Sequence, residues 1–191
     1  KVDSARYIGG LGAYIEAIRA VDPTVKIIVD GQPAELAAEI HRKLGGRIDF
    51  FAVHHYQPWG IHRVERDGKP VDATKLSARD VWYGWVSMPK FDGAGQSVLS
   101  RRELEQARKL GYRVAITEWN WNGWWAVPSV ADRPEFNSLL SKGVGAAGIL
   151  HAMMREGDVV GIGAQSLLIG DRWDIHAICC DRNGRSTPYM V

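Results

Sequence analysis

The chain has 191 residues, 46% of them hydrophobic and 24% charged, an ordinary balance for a folded globular chain. Its 24 Lys and Arg face 22 Asp and Glu, and a formal charge of +2 gives no basis for nucleic acid or an anionic membrane as the main partner. No apolar run reaches the roughly 18 residues that span a bilayer, and the two cysteines, Cys179 and Cys180, are adjacent rather than spaced as a disulfide framework.

The first predicted element is a helix from Ser4 to Val21, with an apolar stripe at Tyr7, Leu11, Tyr14, Ile15 and Ile18. Asp22-Pro23 ends it. Lys26 to Gly31 is a short continuous apolar run that reads as a buried strand. Pro33 then suits a helix start, with Leu36, Ile40 and Leu44 on one face and Gly45-Gly46 as the stop. A second strand is expected from Ile48 to Tyr56. The stretch from Gly60 to Val98 is rich in Gly, Pro and Asp but carries Trp82, Tyr83 and Trp85. A connection that long is usually functional or disordered.

Ser100-Arg101-Arg102-Glu103 reads as a capping box that opens a helix through Leu110, closed by Gly111. Arg113 to Glu118 is a third strand, followed by a Trp-rich loop. Asp132-Arg133-Pro134-Glu135 starts another helix reaching about Arg155, and Val159 to Leu168 is a fourth apolar run. Asn183-Gly184 predicts a tight hairpin in the tail, the first hairpin in the chain. Alternating strands and helices require crossover connections and a parallel sheet covered by helices.

Each predicted strand ends in polar groups: Asp30, then His54-His55-Tyr56, then Glu118, then Gln165. In parallel α/β folds the C-terminal strand ends share the face that carries the active site. Asp30-Gly31 is ordinary turn chemistry. Glu118 is different, because it follows a buried strand and lies among Trp119 and Trp121. A partly desolvated, rigid carboxylate beside aromatic rings suits attack on a sugar carbon. The competing reading is a Glu making a structural hydrogen bond beneath the loop. His54 and Tyr56 share strand parity and should face the site together, whereas His55 should meet the helices. For His54, substrate contact and a satisfied structural histidine weigh equally. Adjacent histidines diverge on a strand, so neither a metal nor another cofactor is expected. Many of the eight Trp are best explained by packing, and for Trp82 and Trp85 burial is placed ahead of a further sugar subsite.

These segments resemble the clan A glycoside hydrolases, and among them the family 51 α-L-arabinofuranosidases, over nearly the whole chain. Ile116-Thr117-Glu118-Trp119-Asn120 looks like the seventh-strand nucleophile motif of that family. Asp49 to Tyr56 looks like its sixth strand, where a His-x-Tyr pair lines the sugar subsite. Gly148 to His151 with Asp158 to Leu168 resembles its seventh helix and eighth strand, and Thr187 to Val191 the segment that follows. Leu167-Leu168 departs from the family, which often has Asn in that area.

The resemblance implies that residues 1–191 form about the C-terminal half, strands five to eight, of an α/β (β/α)₈ barrel. It implies a retaining glycosidase acting on arabinofuranosyl or related plant polysaccharides. Glu118 would be the catalytic nucleophile, and His54, Tyr56, Trp119, Trp121 and Gln165 would hold the sugar. The family's general acid/base is a Glu in an Asn-Glu pair on strand four, and no Asn-Glu pair occurs here. That residue is expected upstream of Lys1, and the chain alone is expected to be inactive. Half a barrel exposes strand edges and an apolar inner face, so a longer chain, a second polypeptide or a homo-oligomer is expected to complete it. A noncatalytic carbohydrate-binding remnant, or another barrel enzyme with the same strand-end geometry, are the alternatives.

Overall fold

The structure, a computed structural model, describes residues 3–56, 65–67, 69–72, 75, 77, 79–80, 82, 86, 100–120, 140–166, 169–170, 178–180, 183 and 186–188. The chain divides into two compact units. The first comprises residues 1–54, 100–117 and 156–163, and the second comprises 55–99, 118–155 and 164–191.

In the first unit, helix α1 (Ser4–Val21) is opened by Asp3, whose side chain accepts from the Arg6 N–H at 2.8 Å. The acceptor satisfies one of the N–H groups a helix start leaves orphaned. Its buried face is Ile8, Gly12 and Ile15. Of the expected stripe, Ile15 is buried and Leu11 half-buried, whereas Tyr7, Tyr14 and Ile18 are exposed, Tyr14 at 73%. Both rows have helical spacing, so periodicity alone reveals an apolar face without choosing between adjacent ones. Gly12 lies on the buried face, where a Cβ would meet the movable Arg47 guanidinium at 2.8 Å and the Leu44 side chain at 3.5 Å.

Strand β1 (Ile28–Asp30) leads to helix α2 (Ala34–Leu44), which buries Ala34, Ala37 and Ile40 and packs against α1. Strand β2 (Phe50–His55) then pairs with β1 in parallel, Ile28 opposite Phe50 and Asp30 opposite Ala52. Gly31 extends the ladder by donating to the Ala52 carbonyl at 2.8 Å, where a Cβ would sit 2.7 Å from that oxygen.

In the second unit, strands β3 (Glu65–Arg66) and β4 (Lys69–Pro70) form an antiparallel hairpin with Asp67 at φ 51°. The expectation of no hairpin before the tail is therefore corrected. Asp67-Gly68 is a strong turn pair, but the flanking strands are too short to show alternation.

Helix α3 (Arg101–Leu110) belongs to the first unit and packs on α2. The expected capping box does not form, since Ser100 makes no side-chain cap bond. The other end behaves as predicted, with Gly111 left-handed at φ 75° and its N–H on the Ala107 carbonyl. Strand β5 (Val114–Trp119) follows; its body, Val114, Ala115 and Ile116, is fully buried. Helix α4 (Leu140–Arg155) buries Ala146, Ile149, Ala152 and Met153, and strand β6 (Val160–Gln165) comes next. The predicted helix start at Asp132 lies outside the described residues.

Strands β7 (Ile169–Gly170), β8 (Ile178–Cys180) and β9 (Ser186–Pro188) make a small sheet, parallel between β7 and β8 and antiparallel between β8 and β9. The tail hairpin predicted around Asn183 is the β8–β9 pair.

The main sheet has the order β1-β2-β5-β6, so each crossover through α2, α3 and α4 steps to the next strand without reversal. A doubly wound sheet reverses its order, whereas a barrel does not. Phe51 and Val53 are buried, while Ile28 on β1 and Ile162 on β6 are 42% and 38% exposed. Arg113 lies over the Phe50 ring, 5.5 Å from its centroid. Gly161 fits beneath them, for a Cβ there would meet the Phe50 ring at 2.6 Å.

Candidate active site

The strand ends of the second unit carry His55, Tyr56, Glu118, Asn120, Gln165 and Ser166. The Asn120 N–H donates to the His55 carbonyl at 3.1 Å, which joins the β5 tip to the β2 tip. The Ser166 N–H donates to the Trp119 carbonyl at 3.0 Å, which joins β6 to β5. With the tips held in this register, His55 and Trp119 fall on one side and Tyr56 and Glu118 on the other, as side-chain alternation requires.

On the first side both residues are buried, His55 at 2% and Trp119 at 1% exposure. His55 behaves as its parity predicted. Burial pulls its pKa from 6.5 to about 4, so the imidazole is neutral around pH 7. The Trp119 expectation needs correcting. Its indole offers no face to a ligand, and its Nε1 is buried without a hydrogen-bond partner among the described residues. Being next to Glu118 in sequence puts Trp119 on the opposite face of the strand.

On the second side, the Tyr56 hydroxyl donates to Glu118 Oε2 at 2.8 Å. Both residues are half-buried. Burial is the main reason the Tyr56 pKa rises above 10; a hydrogen bond from Ser166 opposes the rise, and the Glu118 carboxylate adds to it. Tyr56 is thus a protonated donor throughout the neutral range. Charge-assisted bonds of this kind are about twice as strong as neutral ones. Asn120, 2% exposed, donates through Nδ2 to the Ser166 carbonyl at 2.9 Å. Sequence reasoning assigned no role to Asn120 or Ser166. A polar Asn one residue beyond a buried Trp was the available signal, but burial of a loop-flanking residue cannot be seen from periodicity.

Gln165 ends β6 half-buried, with Nε2 buried and unpartnered among the described residues. An amide donor in that condition is costly unless something else accepts from it. His54 belongs to the first unit and is exposed. Its N–H donates to Gln32 Oε1 at 2.9 Å and its carbonyl accepts from Gln32 Nε2 at 3.4 Å. Asp30 accepts from the Gln32 N–H at 3.0 Å, the turn role expected of it. Trp82 is 42% exposed, against the expectation of burial. Trp85 and Trp121 lie outside the described residues.

A half-buried carboxylate beside a neutral phenol, with an unsatisfied amide at a neighbouring strand end, is equipped to accept positive charge and to bind hydroxyl groups. No His, Cys, Asp and Glu cluster suited to a metal ion occurs among the described residues.

No protein-family model matches the chain, and no curated protein is significantly similar to it. Solved structures are. The α-L-arabinofuranosidase of Thermotoga maritima, in an arabinose complex, aligns over 96% of this chain at 19% identity with a TM-score of 0.53. A second arabinofuranosidase aligns over 98% at 20% identity with a TM-score of 0.58. The endo-β-1,4-glucanase Xac0029 of Xanthomonas axonopodis pv. citri aligns over the whole chain at 16% identity and a TM-score of 0.53. The chain spans about a third of the length of the two arabinofuranosidases and about half of the glucanase. The mixed α/β architecture with its parallel sheet is thus the one found within these barrel-fold glycoside hydrolases.

Proposed function

We propose that the chain is the C-terminal half of the (β/α)₈ catalytic barrel of a retaining glycoside hydrolase acting on arabinofuranosyl substrates, with Glu118 as nucleophile. The observation that carries the reading is the 2.8 Å bond from Tyr56 to the Glu118 carboxylate at neighbouring strand ends. Such a donor fixes the carboxylate without neutralising it.

In the reaction, Glu118 attacks the anomeric carbon as the bond to the leaving oxygen breaks, and a second carboxyl about 5 Å away protonates that oxygen. Water, deprotonated by the same second group, then displaces Glu118 and regenerates the original configuration. The second carboxyl belongs to the remainder of the barrel, supplied by a longer chain or another polypeptide. Support for a missing remainder comes from β1 and β6, which end the sheet while Ile28 and Ile162 stay exposed. Tyr56 orients the nucleophile. Gln165 donates through Nε2, unpartnered among the described residues, to a sugar hydroxyl, and for His54 and Trp121 a role in holding the sugar rests on the family resemblance. Trp119 packs behind the carboxylate.

Replacing Glu118 by Ala in the full-length protein tests this. Hydrolysis of 4-nitrophenyl α-L-arabinofuranoside should fall by about a thousandfold or more, and azide should restore turnover by forming a glycosyl azide of inverted configuration. Unchanged hydrolysis in Glu118→Ala would remove the carboxylate from its role. Turnover of an aryl cellobioside in preference to the arabinofuranoside would keep the mechanism and overturn the sugar.

A further inference from the structure

Asn120 is a buried polar residue to which the proposed chemistry assigns no task, and its bonds form a circuit. Its N–H holds the β2 tip through the His55 carbonyl at 3.1 Å, and its Nδ2 holds the β6 tip through the Ser166 carbonyl at 2.9 Å. The Ser166 N–H returns to the Trp119 carbonyl at 3.0 Å, so the Ser166 backbone is fixed at both polar groups. The Ser166 side chain is near enough to the Tyr56 phenol to oppose the rise in its pKa, and that phenol donates to Glu118 Oε2 at 2.8 Å. Glu118 stands two residues before Asn120, which closes the ring.

We infer that Asn120 is a positioning residue for Glu118, acting through Ser166 and Tyr56 to fix the direction from which the carboxylate is held. The inference rests on the glycosidase reading for the task it gives Glu118. The physical argument concerns a single proton. A phenol carries one O–H, which can point at Glu118 or elsewhere. When the Ser166 hydroxyl donates to the phenol oxygen, that direction is taken, and the Tyr56 proton is left for the carboxylate. Successive hydrogen bonds also polarise one another, which strengthens the last of them.

Ser166 can do this only if its backbone is placed to within a fraction of an ångström, and the Asn120 amide is what pins its carbonyl. Asparagine suits the position because it has a side-chain N–H to give. Aspartate has nearly the same shape, but it would set a carboxylate against a carbonyl oxygen.

The test uses Asn120→Asp, Asn120→Ala, Ser166→Ala and Tyr56→Phe in the full-length protein, with an aryl arabinofuranoside as substrate. Asn120→Asp and Ser166→Ala should each lower kcat by about tenfold with KM changed less than about twofold. The Ser166→Ala/Tyr56→Phe double variant should be no slower than Tyr56→Phe alone, since both act through one bond. An NMR titration of the Tyr56 ring provides a readout independent of turnover. Ser166→Ala should raise its midpoint, and Asn120→Ala should move it the same way. Losses that multiply in the double variant, or a Tyr56 titration untouched by Asn120→Ala, overturn the inference while leaving the glycosidase reading intact. Hydrolysis that survives Glu118→Ala overturns the parent reading instead.

Discussion

In the first unit the strand bodies are closed against helices: Phe51 and Val53 are 1% exposed, and Ile40, Val114 and Ile116 are not exposed at all. In the second unit the ends of the same strands carry Tyr56, Glu118, Asn120 and Ser166, joined by directional hydrogen bonds. Apolar packing tolerates rearrangement as long as volume is conserved, whereas a bond network fixes geometry and fails if one member is lost. The bodies supply stability without chemistry, and the ends carry the candidate chemistry with little apolar area of their own. Substitutions in the two regions should therefore separate, one class moving stability and the other turnover.

The largest effect expected of that separation is at Phe51. Its ring lies 4.5 Å from the Tyr112 centroid and 6.1 Å from that of His41, with no solvent contact to recover on truncation. Phe51→Ala should cost about 3–5 kcal/mol in chemical denaturation. Turnover per folded molecule should be preserved. A fall in kcat as large as that of a tip variant would show that body and tip are one cooperative element.

His55 tests the boundary between the regions, being a buried residue at a strand end. Its pKa is depressed to about 4 from 6.5 by burial, so the unfolded chain binds the proton more readily than the folded one. Stability is therefore complete above pH 6.5, declines as pH falls towards 4, and levels off below that. The full loss is up to about 3 kcal/mol. Urea midpoints measured across that window should slope in the parent and flatten in His55→Gln. A flat parent profile would mean that His55 opens to solvent in the folded state.

The sequence made the body of the fold readable and left its choices of face open. Lys26 to Gly31, Ile48 to Tyr56 and Val159 to Leu168 contain the strands found, and Arg113 to Glu118 stops one residue short of the Trp119 end of its strand, because continuous apolar runs of this length have few other uses. Parity placed His55 against the core correctly. The same reasoning could not know that Trp119, one residue from the carboxylate, is wholly buried, since loop geometry beyond the strand was needed for that. Nor could it choose between the Tyr7 and Ile8 rows of α1, which differ by a 100° rotation of one helix. Asn120 and Ser166 stayed hidden for another reason. Their roles are backbone contacts between strands far apart in the chain, and residue type carries almost no trace of such contacts.

Tyr56 separates the two regions by pH as well as by rate. Its phenol, pushed above 10 mainly by burial, donates to Glu118 below that range and loses the bond as pH rises through the elevated value. Loss of the proton also sets a phenolate beside a carboxylate. Tyr56→Phe should lower kcat/KM by about tenfold, equivalent to about 1.4 kcal/mol, and should abolish an alkaline limb lying above pH 10. Its denaturation midpoint should scarcely move. A variant that loses stability but keeps its rate would place Tyr56 with the bodies.

The smallest effect is expected at Gly111, where the body depends on backbone conformation alone. The residue is left-handed at φ 75°, its N–H closes α3 on the Ala107 carbonyl at 2.8 Å, and a Cβ would meet nothing within 4 Å. Crowding therefore contributes nothing, and Gly111→Ala isolates the conformational cost of a side chain in that region, about 1 kcal/mol. Because α3 packs on α2 in the first unit, the penalty should register in the denaturation midpoint and leave both kcat and the Tyr56 titration unchanged. A shift in that titration would mean that strain at a helix end more than fifty residues from Tyr56 in sequence reaches the strand tips, and the distinction between packed bodies and hydrogen-bonded ends would then fail.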